Sequence, residues 1–154
     1  MTNSPAATDL PLDQLTAALR AGAAGHLPSE AAVALLVEHD VWPGRADFRA
    51  FVDYTDDPDV TDTPLATVRW NEAVDAHLPG ASGETLMLRI AASLAAGTPV
   101  ALAEVSALGW HSTGLVLRAV AHTSGHRTDI GVAAPETFDP DAPGGWTAED
   151  LHRF

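Results

Sequence analysis

Aspartate and histidine supply most of the side chains in this sequence whose types and spacing could do chemistry. Carboxylates that cluster within a few residues can bind calcium, and one such run is present: Asp53, Asp56, Asp57, Asp59 and Asp62. An EF-hand loop also needs glycine at its sixth position and glutamate at its twelfth. Neither the register that starts at Asp53 nor the one that starts at Asp57 supplies them. Helix capping and solvation explain these carboxylates, so the sequence predicts no metal site.

Histidine chemistry centres on His122 and His126, whose spacing suits two zinc ligands on one helix. Gly125 between them disfavours a continuous helix. The sequence has no cysteine, which excludes thiolate nucleophiles and cysteine-based metal sites, and no Gly-x-Ser-x-Gly motif. We therefore predict no catalytic, cofactor-binding or metal-binding residues. The alternative is a small metal- or ligand-dependent enzyme that uses His and Asp side chains from distant segments.

The C-terminal residues carry the sharpest local pattern. Thr147 is a typical helix N-cap, and Asp150 lies three residues later, as in a capping box. Trp146 and Leu151 occupy the two positions of a hydrophobic staple. The pattern predicts a short amphipathic turn over residues 146–154.

A linker precedes this turn, because residues 134–145 are rich in Pro, Gly and Asp. Aromatic side chains on a tethered helical turn commonly dock in a groove of another protein. Trp146, Leu151 and Phe154 are therefore candidate partner-docking residues. The alternative is that the turn folds back over its own core.

The charge balance restricts the class of partner. Eight Lys and Arg residues, all of them arginine, stand against 21 Asp and Glu residues, for a net charge of −13. This charge repels phosphate groups, so we expect neither direct nucleic-acid binding nor membrane binding. It favours a basic protein partner. We therefore predict a non-enzymatic protein–protein interaction module, such as an adaptor, inhibitor or regulator, without a cofactor.

The length of 154 residues fits one domain. We expect a disordered tail over residues 1–8 and a single helical domain over residues 9–133. The first residues lack the basic and apolar segments of a secretory signal, which predicts a cytoplasmic protein.

One helix is marked at both ends and should lie at the centre of the fold. Ser82 can cap its first N–H groups, Glu84 suits its positive end, and Gly97 and Pro99 end it. Between them apolar residues fall on nearly every face, which is typical of a buried helix. We therefore predict a buried central helix over residues 82–97.

Further helices are predicted around this one, so the fold class is mostly α, a compact bundle of about six or seven short helices with a flexible acidic tail. The predicted segments are one through Leu12, Leu15 and Leu19, then 29–38, 45–54, 64–78, 100–108 and 115–121. Short apolar runs are ambiguous after Pro99. A small β-hairpin over residues 113–133 is the alternative there.

Several motifs in the first two thirds of the chain carry a resemblance to known sequences. The most specific is Arg-Ile-Ala-Ala-Ser-Leu-Ala-x-Gly-x-Pro-Val at residues 89–100; the others are the string at 31–36, Trp42 with Phe48, and Arg69 with Trp70. Over residues 22–127 the chain resembles a group of short actinobacterial proteins that have no assigned function. The resemblance implies a helical fold and implies no chemistry.

Overall fold

The computed structural model describes residues 5–126, and the predicted elements are largely present there. The mostly helical, compact bundle is confirmed. Its helices are α1 (Leu12–Ala23), α2 (Leu27–His39), α3 (Ala46–Arg49), α4 (Trp70–Asp75), α5 (Ser82–Ala96) and α6 (Trp110–Thr123). Short 3-10 helices cover Ala7–Asp9, Trp42–Gly44 and Leu102–Ala107. Two strands, β1 (Val52–Thr55) and β2 (Leu65–Val68), form one antiparallel hairpin.

Helix α2 is apolar on nearly all faces because it packs against α1, α5 and α6. The N-cap of α2 is His26, whose Nδ1 accepts a hydrogen bond from the Ser29 N–H at 3.3 Å, and Pro28 occupies its first turn. Asp40 ends the helix in the left-handed conformation, with φ of 58°. These local signals set the ends of α2, and its contacts with three other helices place it at the middle of the bundle.

Helix α5 confirms the predicted buried helix almost residue for residue. Gly97 provides its left-handed C-cap with φ of 74°. The expected role of Ser82 is wrong, because the N-cap is Ala81, which has no side-chain acceptor. Glu84 instead accepts a hydrogen bond from the Ala81 N–H at 3.0 Å. Between Leu86 and Ala92 every side chain of α5 except Arg89 is buried in the core.

The β-hairpin corrects two helix predictions. The helix predicted over residues 45–54 ends at Arg49, and strand β1 follows it. Of the helix predicted over residues 64–78, only Trp70–Asp75 is helical, and strand β2 precedes it. The strands pair in antiparallel register from Val52↔Val68 to Thr55↔Leu65. Pairing with β1 and packing on α1 outweigh the helical spacing of the apolar residues in this segment.

The last described segment is helical where the alternative was a β-hairpin, as far as Thr123. Residues 110–123 form α6, whose N-cap is Gly109, so the hairpin predicted there is wrong over this range. The predicted tail of residues 1–8 overlaps an ordered turn, since Ala7 is buried in the core. The predicted linker at 134–145 and turn at 146–154 lie outside the described residues. Among the helices of residues 5–126, none combines the length and hydropathy needed to cross a bilayer.

Candidate functional site

Helix α6 has a buried face and an exposed apolar face. Leu115, Val116 and Ala119 are buried towards α2. On the other side, Trp110, Leu117 and Val120 are 54%, 45% and 46% exposed. Their spacing of seven and three residues places them on one side of the helix. We call these three residues the α6 stripe.

The segment just before α6 presents another exposed apolar side chain, Leu102, which is 85% exposed. Leu102 begins the 3-10 helix Leu102–Ala107. Glu104 of this helix accepts two hydrogen bonds from Arg89 of α5, at 2.6 and 3.1 Å. The same hydrogen bonds hold the pKa of the Glu104 carboxyl below its ordinary range. The chain therefore enters α6 from a fixed position.

An ion pair and a hydrogen bond hold the side of α6 against α2. Arg118 lies 3.2 Å from a carboxylate oxygen of Glu38, and Nε2 of His122 lies 2.8 Å from a carboxylate oxygen of Glu30. Together with the buried face, these contacts fix the orientation of α6. The α6 stripe is thus displayed by a rigid element and not by a loop.

A cavity of about 260 Å³ lies where α1, α2 and α6 meet. Its polar lining consists of Arg20, Glu30 and His122, and its apolar lining of Ala23, Ala24, Val33 and Ala34. Glu30 accepts hydrogen bonds from the Gly25 N–H and from His122 Nε2, each at 2.8 Å. A histidine held by a carboxylate in this way has a defined orientation.

Of the histidines singled out from the sequence, the structure brings His122 into this cavity. Its polar neighbours were missed because Glu30 lies 92 residues away along the chain. Arg20 and Glu30 lie on different helices, and no residue spacing in the sequence indicates that they line one cavity with His122. His126 is exposed beyond the end of α6.

Two aspartates of residues 53–62 make structural contacts in the described chain. Asp53 lies in β1 and contacts Arg69 at 3.4 Å, while Asp57 accepts a hydrogen bond from the Asp59 N–H at 2.9 Å. Within residues 5–126, no group of three or more His, Asp or Glu side chains is arranged to hold a metal ion.

His39 at the end of α2 is a second notable histidine. Burial lowers the pKa of its imidazole, His111 lowers it further, and Glu84 acts in the opposite direction. Its Nδ1 atom is buried without a hydrogen-bond partner among the described residues. The folded chain therefore favours the neutral form of this ring.

Stability should accordingly depend on pH near neutrality. The unfolded chain, in which an imidazole has a pKa of about 6.5, takes up the proton more readily than the folded chain. We expect the free energy of unfolding to fall as the pH is lowered from about 7.5 to about 5.5. Urea unfolding of H39Q should show a smaller fall than the parent protein, while H126Q, at an exposed position, should show the same fall. An unchanged pH slope in H39Q would contradict this assignment.

The predicted docking residues Trp146, Leu151 and Phe154 lie outside the described residues. No known protein family, curated protein or solved structure matches this chain. The candidate sites therefore rest only on the geometry of the described residues.

Proposed function

We propose that this chain is a non-enzymatic, cytoplasmic protein–protein interaction module, an adaptor, inhibitor or regulator, and that it docks an amphipathic helix of a basic partner protein on the α6 stripe. The observation that carries the proposal is the exposure of Trp110, Leu117 and Val120 on one side of an otherwise packed helix. Single exposed apolar residues are ordinary, but three on one helix face form a surface that a partner helix can cover.

The stripe has the properties of an energetically productive interface. Tryptophan is the side chain most enriched among residues that dominate binding energy. Because α6 is held by its buried face and by Glu30 and Glu38, little order must be gained on binding. This pre-organisation favours a stable complex from a small contact area.

The charge of the chain supports a basic partner. A net charge of −13 attracts cationic proteins over long distances and raises their association rate. Within α6 itself there is no carboxylate, and Arg118 is paired with Glu38. Attraction therefore comes from the whole molecule, whereas the fit comes from apolar contacts along the stripe.

The L117E substitution tests the stripe. We expect it to weaken binding of a Lys/Leu amphipathic peptide of about four helical turns at least tenfold, as measured by fluorescence anisotropy. The direction of the change in affinity is informative, because an added carboxylate strengthens purely electrostatic binding of a cationic peptide. Weaker binding, with unchanged thermal unfolding of L117E, then reports loss of the apolar contact.

The matched control is V60E, which places the same charge on an exposed apolar residue of the loop between β1 and β2. It should bind the peptide at least as tightly as the parent chain. Equal affinities for L117E and the parent would overturn the proposal. So would a dimer in the parent chain that L117E dissociates, because a second copy would then be the occupant of the stripe.

The proposal includes Trp146, Leu151 and Phe154 as a second docking element, acting in trans. Deletion of residues 135–154 distinguishes docking on a partner protein from folding back over the chain's own core. A truncated chain with unchanged stability and unchanged peptide affinity leaves this segment available to a partner. A truncated chain that loses stability, or that binds the peptide more tightly, identifies the segment as an intramolecular cover.

A small ligand-dependent enzyme is the second candidate function, favoured by the Glu30–His122 pair beside the cavity. A histidine oriented by a carboxylate is a common general base. This candidate requires loss of turnover on replacement of His122, with no effect of the L117E substitution. The interaction module instead requires that L117E weakens peptide binding and that replacement of His122 leaves peptide binding unchanged.

A further inference from the structure

Arg20 stands apart from the other five arginines of the described chain. Two of these contact carboxylates on neighbouring elements, Arg89 with Glu104 and Arg118 with Glu38. Arg45 and Arg69 pair with carboxylates nearby in the chain, and Arg49 donates to two backbone carbonyls. Among the described residues, Arg20 makes neither a hydrogen bond nor an ion pair, although acidic residues greatly outnumber arginines.

The side chain of Arg20 lines the cavity between α1, α2 and α6. A guanidinium group offers a planar fork of donors that matches a carboxylate, and this pairing is strongest beside apolar surface. The apolar lining consists of Ala23, Ala24, Val33 and Ala34, whose small side chains leave room for a short aliphatic group. Apolar walls with a few polar groups, here Arg20, Glu30 and His122, are the usual composition of a small-molecule site.

We propose that this cavity binds a small aliphatic carboxylate, with Arg20 as the group that holds the carboxylate and the alanine and valine walls around its hydrocarbon. Glu30, the other charged residue of the lining, accepts hydrogen bonds from the Gly25 N–H and from Nε2 of His122. His122 closes one side of the cavity and is held there by the same contact. The site is separate from the α6 stripe and does not depend on the proposed function.

A larger cavity of about 350 Å³ between α4 and α5 lacks this feature. It is lined by Trp42, Val74, Leu88 and Arg89, among others. Its arginine is already held by both oxygens of Glu104. Of these two cavities, the one at Arg20 has the cation that is unpaired among residues 5–126.

The test is a titration of the full chain with 3-methylbutanoate, followed by amide chemical shifts in NMR. We expect saturable shifts at Ala23, Gly25, Ala34 and His122, with a Kd in the millimolar range for a ligand of this size. The neutral analogue 3-methylbutanamide should bind at least tenfold more weakly. The R20Q variant should bind the carboxylate at least tenfold more weakly, with unchanged thermal unfolding.

The matched control is R69Q, which removes the same charge from an arginine that already has carboxylate partners and does not line this cavity. Its Kd for the carboxylate should stay within about twofold of the parent. Equal binding of the carboxylate and the amide, equal binding to R20Q, or shifts elsewhere in the protein would overturn the proposal. A lower unfolding temperature of ligand-free R20Q would also overturn it, because a carboxylate of the chain's own residues 127–154 would then be the group that Arg20 holds.

Discussion

Replacing Trp42 with alanine is expected to lower the free energy of unfolding by about 3–5 kcal/mol, the usual range for loss of a buried aromatic side chain. Trp42 has no solvent exposure and is among the largest fully buried side chains. Its ring lies 6.0 Å from that of Phe48, and the guanidinium of Arg45 lies 4.6 Å from its centroid. The Nε1–H donates a hydrogen bond to the Glu84 carbonyl at 2.8 Å. This residue therefore joins the turn after α2 to the first turn of α5.

Two further variants test the hydrogen bond and the burial of Trp42 separately. W42F keeps most of the ring but leaves the Glu84 carbonyl without its donor, and should cost about 1–3 kcal/mol in urea unfolding. W110A removes a tryptophan from the exposed α6 stripe and should change stability by less than about 1 kcal/mol. A similar loss in W110A and W42A would contradict the exposure of the stripe and, with it, the surface on which the proposed function rests.

Replacing Gly22 with alanine is expected to destabilise the protein by about 2–3 kcal/mol, although helix propensity predicts the opposite. Within a helix, alanine is ordinarily more stable than glycine by about 1 kcal/mol. At Gly22, however, a Cβ atom would lie 2.1 Å from the carbonyl oxygen of Ala66 and 3.0 Å from its carbonyl carbon. Both are backbone atoms of β2, so relief requires α1 and the hairpin to move apart. Steric repulsion therefore outweighs propensity at this position.

Gly83 provides the matched control, since it is also helical and its added Cβ would meet only the side chain of Leu108 at 4.0 Å. G83A should leave stability unchanged or raise it by up to about 1 kcal/mol in the same urea experiment. If G22A and G83A shifted the unfolding midpoint in the same direction, the close approach of α1 to β2 would be wrong.

The helices with strong end signals were predictable from the sequence. Gly97 and Pro99 end α5 within one residue of the predicted boundary, and the apolar run between Ser29 and Glu38 lies inside α2. Cap residues and apolar spacing act over one or two turns, so they can be recognised without the rest of the fold. The N-cap of α5 lies one residue earlier than predicted, at Ala81, because the extended backbone that precedes the helix is there and Ser82 is already helical.

The β-hairpin was not predictable by the same signals. Leu65, Val68 and Val74 have nearly helical spacing, yet Leu65–Val68 is a strand. A strand depends on partners, here β1 and the glycine face of α1 at Gly22, and these lie far away along the chain. Neither contact can be recognised from the residues of β2 alone.

By itself the sequence determined the helical class, the buried position of α5 and the acidic charge of the surface, because these follow from composition and local periodicity. Only the tertiary structure decided which side of α6 faces outward, since that depends on Leu115 and Ala119 packing against α2. It also decided the meeting of Arg20, Glu30 and His122 around one cavity. Groups on three separate helices come together through packing, and no spacing along the chain records that packing.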